Sequence, residues 1–493
     1  MGELETLAPE TRNLIDGERV EASRGGTFDN LNPATEEVLG TCADGTQDDM
    51  EVAIAAARRA FDETDWSRDA ETRARCLQQL YDAMLEEKEQ LRSIVVHEAG
   101  APVTLTPWMH VDDPIGMMAY WVEKARGFSY EQEMEPVPFM GRPQRRILQR
   151  EAVGVVGAIT PWNVPLYLNI AKIGPALASG CSVVLKPAPD TPWSATHIGR
   201  LAAERTDLPP GVLNIVASSD HLLGEMLSTD ARIDAVTFTG STAVGRRVME
   251  CASATVKKVF LELGGKSANI ILDDADFAAV LPGAAMTCVH GGQGCAITTR
   301  LLLPRSRYDE GLEIVKGAFE SWGYGDPTNP AFLQGPQISR KQQQRVLAYI
   351  EKGVKEGARL VTGGGIPAHL EKGFFVEPTL FADVDPAATL AQEEIFGPVL
   401  CVIPYEDDDD AVRIANESIY GLSGSIASGS DERALAVARR IRTGTIGLNG
   451  AQWFHPDTPF GGYKQSGLGR ENGTAGFEEY LETKVIALPV RDA

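Results

Sequence analysis

Five short apolar runs alternate with helix-like segments between positions 153 and 262, and this alternation constrains the fold more than any other feature of the chain. The runs are Val153 to Ile159, Cys181 to Leu185, Val212 to Val216, Ala235 to Phe238 and Val259 to Leu261. Strands that are apolar throughout are buried on both faces, so the pattern predicts an α/β fold with a parallel, doubly wound sheet. A second alternating stretch follows, with strand candidates Arg300 to Leu303, Val399 to Pro404, Ser423 to Ile426 and Thr445 to Leu448. Amphipathic segments such as Gln342 to Lys355 separate them, which predicts a second α/β domain. A length of 493 residues with 43% hydrophobic content is ample for two such units.

Upstream, Thr46-Gln-Asp-Asp49 reads as a capping box before Ile54, Ala57 and Phe61, which recur at helical spacing. Phe128 to Arg150 is charged, rich in Pro and Arg, and predicts an extended hairpin. The acidic run Glu406 to Asp410 reads as the dipole-favoured start of a helix continuing to Asn416, and no metal site is expected in it.

A formal net charge of -23 repels phosphate backbones and anionic membranes, so no nucleic-acid or membrane partner is expected. No apolar stretch is long enough to span a bilayer, and the first residues lack the basic and apolar regions of a signal peptide. A cytoplasmic protein is expected. Met1-Gly2 followed by Thr6 fits a loose myristoylation pattern, but Glu3 and Glu5 disfavour it. Seven scattered cysteines form neither a disulfide framework nor a zinc pattern.

One of them, Cys295, ends the glycine-rich turn His290-Gly-Gly-Gln-Gly-Cys295. Upstream, Leu261-Glu262-Leu263-Gly264-Gly265-Lys266-Ser267 presents a lone carboxylate on similarly flexible backbone. A thiol adds to carbonyl carbon and a carboxylate activates water, so the two cassettes suggest a carbonyl substrate and a two-step reaction. The plainer reading of Cys295 is a buried free cysteine. Phe238-Thr-Gly240-Ser241-Thr-Ala-Val-Gly245 follows a strand and opens a helix, where unpaired N–H groups favour a phosphate, although the full three-glycine fingerprint is missing. Lys186 ends the strand at Leu185, on the carboxyl edge where open α/β sheets bind ligands. Asn163, in Thr160-Pro-Trp162-Asn163-Val-Pro165, either points an amide at an oxyanion or caps the next helix. Glu394 and Phe396, in Glu394-Ile-Phe396-Gly-Pro398, suit a sugar hydroxyl and a ring, or an ordinary loop.

Taken together and in this order, with Pro459-Phe-Gly-Gly-Tyr-Lys-Gln-Ser-Gly467, these segments resemble the NAD(P)-dependent aldehyde dehydrogenase superfamily over nearly the whole chain. The resemblance implies a Rossmann-type cofactor domain over 1–127 and 151–262, a catalytic domain over 263–459, and oligomerisation elements at 128–150 and 460–493. It implies Cys295 as nucleophile, Asn163 as oxyanion donor with the Cys295 backbone N–H, and Glu262 as the base that hydrolyses the thioester. NAD would be held by Ile159, Trp162, Lys186, Gly240, Ser241, Gly245, Leu263, Glu394 and Phe396. Glu482 resembles a family carboxylate that relays protons to Glu262. A homodimer or homotetramer is implied, joined through the hairpin and the segment Glu478 to Pro489.

The chain departs from the family in places. Pro189 stands where many NAD-preferring members have glutamate, which leaves NADP admissible, but no basic residue adjoins to reward a 2'-phosphate; NAD is expected. His290 stands where the family often has Asn and is expected to be a packing or surface residue. The aldehyde tunnel implied by the resemblance offers Trp108, Tyr167, Trp453 and Phe454, with Met109, Met117, Met118 and Tyr120 on the helix expected from Trp108 to Trp121. Such a mouth suits medium-chain, terpenoid or aromatic aldehydes. The alternatives are an NADP-dependent semialdehyde dehydrogenase and a cysteine hydrolase or acyltransferase.

Overall fold

Val155–Ile159 lies at the centre of an eight-stranded sheet, with Ser182–Lys186 and then Leu213–Ile215 on one side and Ala235–Thr239 and then Lys258–Glu262 on the other. These five strands are parallel. Antiparallel strands close the edges: Asn13–Ile15 and Glu18–Val20 beyond Leu213–Ile215, and Gly467–Leu468 beyond Lys258–Glu262. The structure is a computed structural model that describes residues 4–490, so the Met1-Gly2 pattern lies outside the described residues. No helix among the described residues is long and apolar enough to cross a membrane.

The apolar runs are strands because successive residues bury on opposite faces. Val156, Ala158, Val183 and Leu185 meet Leu166, Ile170 and Leu177 of the helix Pro165–Ser179 and Ile198 of Trp193–Arg205. Val155, Val184, Val236 and Leu261 face the other way, toward Met50 and Ile54 of Gln47–Glu63, Leu227, and Val248 of Thr242–Ala252. Gln47–Glu63 starts with the expected capping box: Thr46 Oγ1 accepts from Asp49 N–H, and Asp49 accepts from Thr46 N–H. The acidic run also behaves as expected, with Asp407 capping the helix Asp408–Asn416.

After Val155–Ile159 the chain builds outward through Ser182–Lys186 and Leu213–Ile215, then crosses to Ala235–Thr239 on the opposite side. This reversal opens a crevice at the carboxyl ends of Val155–Ile159 and Ala235–Thr239, the topological switch point of the sheet.

A seven-stranded sheet follows, centred on Thr298–Pro304 between Ser267–Ile271 and Val399–Tyr405. Sequence patterning missed Ser267–Ile271, Thr379–Ala382 and the antiparallel edge strand Arg359–Thr362. Only Leu263 to Lys266 separates the carboxyl end of Lys258–Glu262 from the amino end of Ser267–Ile271. The chain therefore steps directly from the carboxyl edge of one sheet to the amino edge of the other. The expected hairpin is Glu131–Phe139 paired with Arg142–Ala152, ending two residues beyond Arg150, and Leu481–Pro489 adds a third strand.

Ser466 fastens the step between sheets. Its carbonyl accepts from Leu263 N–H at 2.8 Å, its hydroxyl donates to the Gly264 carbonyl at 2.7 Å, and that hydroxyl accepts from Gly421 N–H at 2.9 Å. Replacing Ser466 with Ala leaves a buried carbonyl and a buried N–H without partners, a loss of about 1–3 kcal/mol. Ser466→Ala is expected to melt several degrees below wild type in a thermal scan, with the same far-ultraviolet circular dichroism.

Candidate active site

Cys295 and Glu262 meet at the step between the sheets. Cys295 lies in the turn before Thr298–Pro304, and Glu262 is the last residue of Lys258–Glu262. Gly265 lets them approach: a β-carbon there would stand 2.5 Å from the Cys295 carbonyl oxygen. The glycines of the cysteine turn answer to the same kind of constraint. Gly292 has φ +72°, and a β-carbon on it would lie 2.1 Å from the Gly397 carbonyl.

The thiol of Cys295 is held far above its ordinary range by burial and then by the negative fields of Glu262, Glu394 and Glu471; the Ala296 backbone N–H acts weakly the other way. Glu262 is 5% exposed and neither carboxylate oxygen has a hydrogen-bond partner. Burial pushes its proton affinity well up, Glu471 adds to the rise, and Lys172 and Arg470 oppose it. Its neighbour in space is Gly461, where a β-carbon would lie 2.6 Å from Glu262 Oε1.

Glu471, rather than Glu482, is the carboxylate behind Glu262. Glu482 points outward from Leu481–Pro489 and pairs with Lys258 at 3.1 Å, so the expected relay role is corrected. Glu471 is buried, accepts from Lys172 Nζ at 2.7 Å through Oε1, and leaves Oε2 without a partner. Lys172 also donates to Thr237 Oγ1 at 2.9 Å. Sequence reasoning missed both residues. Lys172 did carry a signal, as the only charged residue in the apolar helix Pro165–Ser179; Glu471, after Arg470 in a turn-like Glu-Asn-Gly, carried none.

Asn163 does not cap that helix. Its Nδ2 donates 2.9 Å to the Gln293 carbonyl, two residues before Cys295, and leaves the second amide hydrogen free. His290 is fully buried rather than on the surface, with Nε2 2.7 Å from the Asn163 carbonyl.

The residues expected to hold a cofactor gather along the crevice. Lys186 is buried and donates to the Ser218 carbonyl at 3.2 Å; burial lowers its proton affinity to about 8, while Asp220, Asp44 and Asp190 pull the other way. Gly224 faces Ile159 and Lys186, with a β-carbon site 3.5 and 3.8 Å from their side chains. Ser241 caps the eleven-residue helix Thr242–Ala252, and Gly245 in its first turn admits Leu263. Glu394 is half-buried and accepts from Gly265 N–H at 2.9 Å, which ties it to the same connector; burial raises it to about 7. Phe396 takes a left-handed backbone, φ +59°, and its ring meets Trp162 edge-on at 5.4 Å.

Of the residues expected to line a tunnel, three form one row. Tyr167 meets Phe454 at 5.6 Å, Phe454 meets Trp453 at 6.0 Å, and Trp453 stacks on Phe460 at 5.5 Å. Met117 packs with Tyr167, Leu168 and Ala171 at the same place. Trp108 stands apart. The expected single helix from Trp108 to Trp121 is broken at Val111: Thr106–His110 is a separate wide turn with Pro107 in it, and Trp108 is 60% exposed. Met118 and Trp121 belong to the main core.

The sign of the Glu262 shift has a consequence for stability. A carboxyl that holds its proton more tightly folded than unfolded destabilises the fold as pH rises from about 4.5 through the folded value. Glu262→Gln removes that cost. It is expected to melt above wild type at pH 8, by the equivalent of about 1–2 kcal/mol, with the difference shrinking toward pH 4.5.

Residues 20–486 match the model of the aldehyde dehydrogenase family. The chain is 42% identical to a 3-succinoylsemialdehyde-pyridine dehydrogenase from a Pseudomonas species, over 96% of this chain and 97% of that one. It superposes with TM-score 0.94 on a Mycobacterium tuberculosis aldehyde dehydrogenase complexed with NAD+, at 43% identity, covering 98% of this chain and 99% of that one. A Pseudomonas syringae aldehyde dehydrogenase C variant, complexed with NAD+ and octanal, superposes with TM-score 0.92 at 39% identity, covering 98% of each chain. The chain belongs to the aldehyde dehydrogenase family.

Proposed function

We propose that this protein oxidises an apolar aldehyde to the carboxylic acid, with NAD as hydride acceptor and a covalent intermediate on Cys295. The observation that carries the reading is the convergence, at the step between two sheets, of a thiol, an unpartnered carboxylate and an amide with one free N–H.

Cys295 Sγ passes its proton to solvent water and forms a bond to the carbonyl carbon, the C=O π bond breaks, and the carbonyl oxygen takes up the negative charge. The free Asn163 N–H and the Cys295 backbone N–H meet that oxyanion. NAD, when bound, supplies the acceptor for the hydride that leaves the same carbon. The thioester left on Cys295 is cleaved by a water from which Glu262 takes the proton. Burial raises the proton affinity of Glu262, which makes it a stronger base, and the Glu471–Lys172 pair behind it offers an open oxygen to carry the proton onward. Glu262 acts as a base only without its proton, and burial raises its hold on that proton, so the turnover rate is expected to fall as pH drops and Glu262 becomes protonated.

The crevice fits a dinucleotide. Lys186 keeps donors free beyond its one bond to Ser218, Glu394 keeps an oxygen that would accept from a ribose hydroxyl, and the amino end of Thr242–Ala252 would hold a phosphate. The acidic residues that act on Lys186 disfavour a 2'-phosphate, which supports NAD over NADP in the absence of the usual glutamate at Pro189. The row Tyr167, Phe454, Trp453 and Phe460 supports an apolar substrate, as does the octanal bound by the Pseudomonas syringae relative. The strand Leu481–Pro489 leaves Val485 and Ile486 exposed, which supports assembly of copies through the three-stranded sheet.

Reduced-nicotinamide absorbance tests this directly. Octanal with NAD is expected to exceed both succinate semialdehyde with NAD and octanal with NADP by roughly tenfold or more in kcat/KM, and Cys295→Ser is expected to abolish the signal. Equal rates on succinate semialdehyde would contradict the substrate assignment, and an active Cys295→Ser would contradict the mechanism.

A further inference from the structure

Behind Asn163 lies a closed circuit of hydrogen bonds that includes a histidine with no part in the reaction described above. His290 Nε2 is 2.7 Å from the Asn163 main-chain carbonyl. A carbonyl only accepts, so Nε2 carries the proton and donates. Asn163 Nδ2 donates to the Gln293 carbonyl at 2.9 Å, and Gln293 Nε2 donates to the His290 carbonyl at 3.0 Å. Gln293 is itself pinned, accepting from Ile338 N–H at 2.9 Å and donating to the Pro336 carbonyl at 3.1 Å. All three residues of the circuit are buried.

The geometry makes Asn163 depend on His290. The Gln293 carbonyl takes one amide hydrogen, and the direction of the second follows from where the Asn163 backbone sits. His290 is the side chain that holds that backbone from its carbonyl side. Asn163 lies in a loop before Pro165–Ser179, where no side-chain cap anchors the helix start.

The backbone around His290 points the same way. His290 has φ +50°, followed by Gly291 at +65° and Gly292 at +72°. Both glycines are needed for space, because β-carbons there would lie 2.8 Å from Gln337 Nε2 and 2.1 Å from the Gly397 carbonyl. Position 290 carries a side chain in a conformation that disfavours one. That side chain is 1% exposed, its ring packs edge-on against His110 at 4.7 Å, and Nδ1 has no partner. Its single hydrogen bond is the one to Asn163. Burial holds His290 at about 4 and His110 well below its ordinary range, so neither ring is charged near neutral pH.

We propose that His290 is a positioning residue for the oxyanion site: its Nε2–H fixes the Asn163 peptide so that the free amide hydrogen meets the developing charge. The proposal rests on the reading of Asn163 as oxyanion donor. His290 acts only through Asn163, so its removal lowers the rate and leaves binding alone.

The test is steady-state kinetics with octanal and NAD for His290→Gly, His290→Leu, His290→Gln, Asn163→Ala and the His290→Gly/Asn163→Ala double variant, each checked by thermal melt. Glycine suits the left-handed backbone, so His290→Gly adds no backbone strain; His290→Leu fills the space and supplies a second loss of the donor. Each is expected to lower kcat about 10- to 100-fold with KM for octanal within about threefold. Glutamine reaches the Asn163 carbonyl with an amide N–H, so His290→Gln is expected to recover most of the rate. The double variant is expected to fall no further than Asn163→Ala. Wild-type rates in His290→Gly or His290→Leu beside a slow Asn163→Ala, losses that multiply in the double variant, or no recovery in His290→Gln would each overturn the role of His290 alone. Wild-type rates in Asn163→Ala would overturn the reading of Asn163 beneath it.

Discussion

Glu262 is buried with neither oxygen hydrogen-bonded, and much of the surrounding structure is arranged around that unfavourable state. Backbone closes on the group from one side. Gly461 comes close enough that a β-carbon would strike the carboxylate, and Gly467 pairs with Glu262 in the sheet edge. The nearby charges then set its proton affinity: Glu471 raises it while Lys172 and Arg470 restrain it. A carboxylate raised this way is a poor contributor to stability, and its proposed use is to take a proton from water.

The same place is where two sheets are joined by a connection of four residues. Leu263 to Lys266 carries the backbone from the carboxyl edge of one sheet to the amino edge of the next, and Gly265 lets the cysteine turn lie directly on it. Glu394, ahead of Val399–Tyr405, accepts from the same glycine's N–H. Base, thiol and proposed ribose carboxylate are thus referenced to one four-residue segment. Ser466 fixes that segment from a third direction, so displacement of any one part is transmitted to the others.

The parallel strands were legible in sequence because burial on both faces leaves continuous apolar runs. Ser267–Ile271 was hidden for the opposite reason: it opens with Ser267, includes Asn269, and follows another strand with no helix between. The cassettes around Cys295, Glu262 and Asn163 were legible because glycine and proline mark where backbone must approach closely or stay stiff. Their partners were not. Glu482 and Glu471 both sit near the carboxyl end, and only the strand geometry shows that Glu482 points outward while Glu471 points into the site. Trp108 read as continuous with the following helix, whereas the turn at Thr106–His110 separates them. His290 read as a packing or surface residue; what distinguishes it is a bond to a residue 127 positions away.

In the proposed reaction Glu262 serves the second half and is dispensable for the first. Rapid mixing of Glu262→Gln with NAD and octanal, followed by intact-mass analysis, separates the two halves. A burst of about one equivalent of reduced nicotinamide per site, little further turnover, and an octanoyl adduct on Cys295 that persists are expected. Continued turnover at the wild-type rate, or the absence of both burst and adduct in a folded variant, would contradict the proposed reaction.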